Sequence, residues 1–269
     1  MRPVHLSAFT ATSCLGAGLA PTLAALRDHT GGLKPCRFET VQLPTYIGEV
    51  PAVDDHPLPR GLSDFECRNN RLAWLALGQD GMREAVAHAA RRYGARRVGV
   101  FLGTSTSGIL ESELAYRRRD PGSGALPPDF RYPGAHNTFS LAAFLARALE
   151  LRGPAVVVSS ACSSSAKVFA SAARALAAGL IDAALVGGVD SLCLTTLYGF
   201  HSLQLVSPEP CRPFDPERAG ISIGEAGAFA LLDRTAGSLD ARSILLLGAG
   251  ESSDAHHMSG NPGSTLPVG

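Results

Sequence analysis

The chain has 269 residues, of which 45% are hydrophobic and 18% charged, a composition typical of a globular protein with a substantial core. Lys plus Arg and Asp plus Glu both number 24, so the formal net charge is zero, which argues against nucleic acid or an anionic membrane as the main partner. No stretch approaches 18 consecutive apolar residues, so no membrane span is predicted. The six cysteines lack metal-site spacing and are expected to be reduced thiols in a cytoplasmic protein.

Strand and helix patterns alternate along the chain. Short apolar or alternating runs indicate strands, and longer runs with apolar residues at every third or fourth position indicate helices. The predicted strands are residues 4–10, 97–103, 155–159, 183–187, 224–232 and 243–250. The predicted helices are residues 16–27, 64–92, 109–118, 137–149 and 162–178, and the Gly- and Pro-rich residues 30–62 are expected to leave the main sheet. This interleaving predicts an α/β fold with a largely buried mixed sheet.

Cys162 stands where a buried strand turns into a helix, and small residues flank it on both sides. A thiol at a helix N-terminus meets unpaired N–H groups and the positive end of the helix dipole, which favours its thiolate. The same N–H groups could stabilise an oxyanion when a thioester is attacked. The residues alone leave two interpretations open, a nucleophile or a buried core thiol.

Four segments occur in order along the chain: residues 161–166 (ACSSSA), 186–190 (VGGVD), 211–226 (CRPFDPERAGISIGEA) and 252–258 (SSDAHHM). Together they resemble the first half of the β-ketoacyl synthases, which are thiolase-like condensing enzymes. Within that family, residues 190–201 are similar to synthases of bacterial aryl-polyene clusters.

The resemblance implies a thiolase-like layered α/β/α fold with a mixed five-stranded sheet. Residues 1–240 would form one complete half, and residues 241–269 would begin a truncated second half. The implied reaction is a decarboxylative Claisen condensation of an acyl thioester with malonyl-acyl carrier protein, in fatty acid, polyketide or aryl-polyene synthesis. No cofactor is implied. The implied partners are acyl carrier protein and a second ketosynthase chain, in a homodimer or heterodimer.

The resemblance also implies roles for individual residues. Cys162 would carry the acyl chain, and its own N–H would be one oxyanion donor. Thr106, Ala161 and Phe200 align with positions that line the acyl pocket. Plain core packing is the alternative for Phe200, because aromatic side chains bury large areas in any role.

The resemblance also bears on five charged residues. Asp215, Arg218 and Glu225 are expected to form a buried ion-pair network rather than to catalyse. Arg68 and Arg71 lie at the start of a helix where the family docks its acidic carrier protein, and a solvated basic face is the alternative.

The resemblance implies that histidines from the family's second half assist decarboxylation of the malonyl unit, and the segments that carry them are not found in this sequence. It contains no His-Gly-Thr segment, and the adjacent His256 and His257 fall in a stretch that is not the family's catalytic pair. The alternative function is therefore a non-catalytic or incomplete chain that acts only by association. A lone half would expose a broad apolar surface, so poor solubility or a partner supplying the missing half is expected.

Two further interpretations are disfavoured by the residues around the thiol. A cysteine variant of an α/β-hydrolase would need Gly-x-nucleophile-x-Gly, whereas Ser160 and Ser164 flank Cys162. A catalytically silent chain-length partner usually lacks the cysteine, which is present here.

Overall fold

Ten strands and seven α-helices lie within residues 3–234 and 239–252, the part of the chain that the computed structural model describes. The strands are β1 Val4–Ser13, β2 Gly16–Ala17, β3 Lys34–Pro35, β4 Tyr46–Gly48, β5 Val98–Gly103, β6 Ala155–Val158, β7 Ala183–Asp190, β8 Ile223–Gly224, β9 Ala226–Asp233 and β10 Ile244–Leu246. The helices are α1 Leu19–Arg27, α2 Arg68–Leu77, α3 Met82–Tyr93, α4 Ile109–Arg117, α5 Ser140–Ala148, α6 Ser164–Ala177 and α7 Leu194–Ser202.

The main sheet is mixed, as the sequence predicts. Its long strands follow the order β1-β9-β7-β5-β6. β7, β5 and β6 are parallel to one another, and β9 runs antiparallel to both β1 and β7. Two short strands extend these five, since β10 pairs with the outer side of β1 and β2 pairs with its end. β10 lies in the stretch predicted to open the second half, and the boundary at residue 240 stays a prediction.

Helices cover both faces of the sheet. Leu72 of α2 and Phe144 of α5 are fully buried against one face, and Leu176 of α6 is buried against the other. Neighbouring residues of a strand point to opposite faces, so Val100 packs in the first layer and Phe101 in the second. The arrangement is the predicted α/β/α layering, and α6, which follows Cys162, is the helix on the second face.

Two features depart from a simple alternation of strands and helices. The prediction of one helix over residues 64–92 is wrong, because the chain turns between α2 and α3, where Asp80 and Gly81 adopt positive φ angles of 53° and 70°. Residues 30–62 contribute β3 and β4 to a separate small sheet with β8, which agrees with the predicted excursion. None of the described helices has the length and apolarity needed to cross a membrane.

Candidate active site

The carboxyl ends of three adjacent parallel strands gather at one edge of the main sheet. β6 leads into the Cys162 turn, β5 leads into residues 104–107, and β7 ends at Asp190. Side chains that follow neighbouring parallel strands meet at this edge, which is where open α/β sheets place their ligand sites.

Cys162 lies on the turn before α6 and is exposed. The helix begins at Ser164, two residues later than predicted, and Ala161 adopts the left-handed region with φ of 53°. The Ala161 carbonyl closes the turn by accepting hydrogen bonds from Ser164 N at 3.1 Å and Ser164 Oγ at 2.6 Å. The core-thiol interpretation is therefore wrong, and the nucleophilic role stays a prediction that this placement supports.

Cys162 is not alone in preceding a helix. Cys67 and Cys193 are the residues immediately before α2 and α7, but both are buried, and burial raises the pKa of each thiol. Burial also raises the pKa of Cys14. A position before a helix therefore does not by itself mark a reactive thiol, and Cys162 differs by its exposure to solvent.

Two glycines let α6 approach the sheet. A Cβ atom on Gly103 of β5 would lie 2.4 Å from the backbone of Ser164 and Ser165, and one on Gly188 of β7 would lie 2.4 Å from Ser165 Cβ. Gly103 and Gly188 are paired neighbours across the two strands. The start of α6, and with it the Cys162 turn, is therefore seated directly on these backbones.

Replacing Gly103 with alanine is expected to lower the free energy of unfolding by about 2–3 kcal/mol, because the added methyl group meets rigid backbone. Gly199 is the matched control, since it lies within α7 and a Cβ there meets nothing within 4 Å. Gly199→Ala should leave stability unchanged or raise it by up to about 1 kcal/mol. Urea unfolding followed by circular dichroism measures both, and equal stabilities for the two variants would contradict the seating of α6.

The predicted acyl-pocket residues occupy three different settings. Ala161 is part of the exposed Cys162 turn, and Phe200 is half-buried on α7. Thr106 is buried, 4% exposed, with its hydroxyl 3.0 Å from Asp190 Oδ1 and accepting from Ser191 N at 3.0 Å. The structure therefore brings Thr106 to the same sheet edge as the turn, and the pocket role of all three residues stays a prediction.

A buried ion pair lies beside this edge. Glu225, 3% exposed, accepts from Arg68 Nε at 2.8 Å and Nη2 at 2.7 Å, and from the backbone N–H groups of Val50 and Leu192 at 2.9 and 3.0 Å. Arg68 Nη1 donates to both carboxylate oxygens of Asp54 at 2.7 Å. Burial lowers the pKa of Arg68, but its bonds to Glu225 and Asp54 outweigh this and raise it, so the guanidinium stays charged.

The predictions for charged residues are therefore confirmed only in part. The buried ion pair is confirmed for Glu225 but is wrong for Asp215 and Arg218, because Arg218 is exposed and Asp215 pairs at the surface with Arg212 at 3.2 Å. Carrier-protein docking and a solvated basic face are both wrong for Arg68, since its side chain is 5% exposed and is bound by acidic groups. Arg71 is partly exposed and pairs with Glu66.

Sequence reasoning missed two residues at the sheet edge, Ser105 and Asp190. Ser105 Oγ donates to the Ala161 carbonyl at 2.9 Å, and Asp190 Oδ1 accepts from Ser105 N at 2.6 Å. The available signal was a hydroxyl-rich turn and an acidic residue, each directly after a buried strand. His256 and His257 lie outside the described residues.

Comparison with known proteins gives one consistent result. The family model described as β-ketoacyl synthase, N-terminal domain, matches residues 63–237. Nodulation protein E of Rhizobium meliloti (strain 1021) is 31% identical over 215 residues, which is 78% of this chain and 53% of that protein. Putative polyketide β-ketoacyl synthase 1 of Streptomyces halstedii is 29% identical over 225 residues, 77% of this chain and 53% of that protein.

Solved structures agree with the sequence comparisons. The ketosynthase (ApeO) in complex with its chain length factor (ApeC) from Xenorhabdus doucetiae matches with a TM-score of 0.80 and 35% identity, over 95% of this chain and 63% of that chain. The ishigamide ketosynthase/chain length factor matches with a TM-score of 0.71 and 27% identity, over 86% of this chain and 58% of that chain. The chain thus spans about half the length of the curated relatives it matches.

Proposed function

The chain belongs to the β-ketoacyl synthase family, and from this premise we propose that it provides the acyl-accepting half of a condensing acyltransferase, with Cys162 as the residue that receives the acyl group. One observation carries the proposal. Cys162 is an exposed thiol on the turn before α6, at the carboxyl ends of three parallel strands.

The proposed first step is acyl transfer between two sulfur atoms. The Cys162 thiolate attacks the carbonyl carbon of an acyl thioester, a new carbon–sulfur bond forms, and the carrier sulfur leaves and takes up the proton that Cys162 lost. After the new bond has formed and before the carrier sulfur leaves, negative charge lies on the carbonyl oxygen. The N–H of Cys162 would stabilise it, together with the positive end of the α6 dipole.

The second step, decarboxylation of a malonyl unit and attack of its enolate on the acyl-enzyme, rests on the resemblance alone. The family resemblance assigns that step to histidines in the half that this chain does not match. The alternative, a chain that acts only by association, differs at the first step, because it requires no acylation of Cys162.

Acyl carrier protein is proposed as the acyl donor and a second ketosynthase chain as the structural partner. β6 is an edge strand that pairs with β5 alone among the described strands, and an open edge is a template for another chain. Large apolar side chains are exposed between residues 198 and 221, with Phe214 99% and Leu203 63% exposed, which supports association. Two of the similar solved structures are ketosynthases together with chain length factors. The six free thiols support a cytoplasmic location.

The name of the Streptomyces halstedii relative favours polyketide synthesis as the pathway class. The proposed acyl group is therefore a carbon chain delivered as a phosphopantetheine thioester on the carrier protein. The aryl-polyene resemblance of residues 190–201 makes a growing polyene the specific version of this proposal.

Incubation of the chain with octanoyl N-acetylcysteamine thioester tests the first step. We expect one octanoyl adduct by intact-mass spectrometry, located by peptide mapping on the peptide that contains Cys162. Absence of an adduct, or adducts spread over several cysteines, would contradict an acyl-accepting function. Subsequent addition of malonyl-acyl carrier protein separates acylation from condensation.

A further inference from the structure

One carboxylate oxygen organises the turn that follows β5. Asp190, the last residue of β7, uses Oδ1 to accept hydrogen bonds from four donors in the turn. They are Thr104 Oγ1 at 3.2 Å, Ser105 N at 2.6 Å, Thr106 N at 3.0 Å and Thr106 Oγ1 at 3.0 Å. Hydrogen bonds to a charged acceptor are the stronger kind, so residues 104–106 are held firmly against the end of β7.

The clamped turn reaches the Cys162 turn through one hydroxyl. Ser105 Oγ donates to the Ala161 carbonyl at 2.9 Å and lies 3.5 Å from Ser164 Oγ. Ala161 directly precedes Cys162, so two hydrogen bonds in series connect the end of β7 to the backbone beside the thiol. The residues involved are far apart in sequence, 85 positions for Asp190 and Ser105 and 56 for Ser105 and Ala161.

The Cys162 turn needs such support because its backbone is strained. Ala161 has a side chain and a φ of 53°, a conformation that persists only where surrounding contacts hold it. Its carbonyl accepts from Ser105 Oγ as well as from Ser164 N and Ser164 Oγ. Two of these three donors belong to α6 itself, and Ser105 is the one that ties the turn to the rest of the sheet edge.

We propose that Asp190 is a positioning residue for Cys162, acting through Ser105 to fix the Ala161 turn so that the thiol stays at the N-terminal end of α6. The proposal rests on the proposed function, in which Cys162 accepts the acyl group. Asp190 does not touch the reacting atoms. It sets where the thiol stands relative to the N-terminal end of α6, and small displacements of a reacting group lower rates strongly.

Two substitutions of Asp190 distinguish the loss of the acceptor oxygen from the loss of the negative charge. All four donors use Oδ1, so an asparagine oxygen in the same place could accept them, whereas alanine removes the acceptor. We expect Asp190→Ala to slow acylation of Cys162 by octanoyl N-acetylcysteamine thioester by about tenfold and Asp190→Asn to stay within about twofold of the original rate. Ser105→Ala should also slow it by about tenfold, and Ser105→Thr, which keeps the hydroxyl, should recover most of the rate.

The combined variant Asp190→Ala/Ser105→Ala decides whether the two residues form one path. If Asp190 acts through Ser105, the combined variant acylates no more slowly than Asp190→Ala alone. Additive losses, or an Asp190→Ala chain that acylates at the original rate, would overturn the proposal. Circular dichroism confirms that each full-length variant is folded. If Asp190→Ala does not fold, the acylation rates of Ser105→Ala and Ser105→Thr are compared instead, because these variants remove and restore one hydroxyl. Equal rates for these two variants would overturn the proposal.

A second measurement keeps this proposal distinct from the proposed function. If the original chain is not acylated, the proposed function fails. The rate of Cys162 alkylation by iodoacetamide, measured at one pH, then reports on the placement of the thiol. A changed rate in Asp190→Ala that Asp190→Asn restores supports the clamp, because the asparagine keeps the acceptor oxygen that holds residues 104–106. Identical rates in all three proteins would overturn it.

Discussion

Replacing Cys162 with alanine is expected to lower the rate of acyl transfer to the chain by at least about 1,000-fold, because no other described thiol combines exposure with a place at a helix N-terminus. The rate is measured as appearance of the octanoyl adduct by intact-mass spectrometry. Cys162→Ser should behave like the alanine variant, since a hydroxyl at this position is a far weaker nucleophile and the exposed turn keeps its shape.

Two other cysteines supply controls. Cys193→Ala removes a thiol that also precedes a helix, and Cys211→Ala removes a half-buried thiol on a loop; neither is expected to change the rate. At neutral pH the octanoyl group should be attached to Cys162, because burial raises the pKa of the Cys67 and Cys193 thiols and leaves them protonated. A Cys162→Ala chain that still gains one acyl group at the original rate would refute the assignment of the nucleophile.

Replacing Glu225 with alanine is expected to lower the free energy of unfolding by about 3–5 kcal/mol, since it leaves the buried Arg68 guanidinium without its main partner. The backbone N–H groups of Val50 and Leu192 lose their acceptor as well. Those two groups lie on segments far apart in the sequence, so the loss also loosens the segment that follows β7. Urea unfolding monitored by circular dichroism gives the change directly.

Charge and hydrogen bonding at this position are separated by a second variant. Glu225→Gln keeps an acceptor oxygen but removes the charge, so its loss of stability should fall between zero and that of the alanine variant. Asp129→Ala is the matched surface control, because the Asp129–Arg118 pair has side chains 62% and 56% exposed. Such pairs contribute below about 1 kcal/mol. If Glu225→Ala costs no more than Asp129→Ala, the ion pair is not a structural anchor.

Local patterns of residues are enough to predict the fold class and the candidate nucleophile. The apolar runs that became β5 and β7 are continuous enough to predict buried strands, and the small residues around Cys162 mark the turn before α6. These features are local, since a strand or a helix start is encoded within a few neighbouring residues. The mixed sheet was predicted from the interleaving of strands and helices and the α/β/α layering from the family resemblance, and both are confirmed.

The remaining features depend on groups that are far apart in the chain. Arg68 pairs with Glu225 157 positions away, which turns a predicted surface cation into a buried one. Exposure separates Cys162 from Cys67 and Cys193, although all three precede helices. Asp190 meets Ser105 only because β7 and β5 are neighbours in the sheet. Burial and hydrogen-bond partners depend on strand order and on which backbones come within a few ångströms, and no local pattern of residues encodes either.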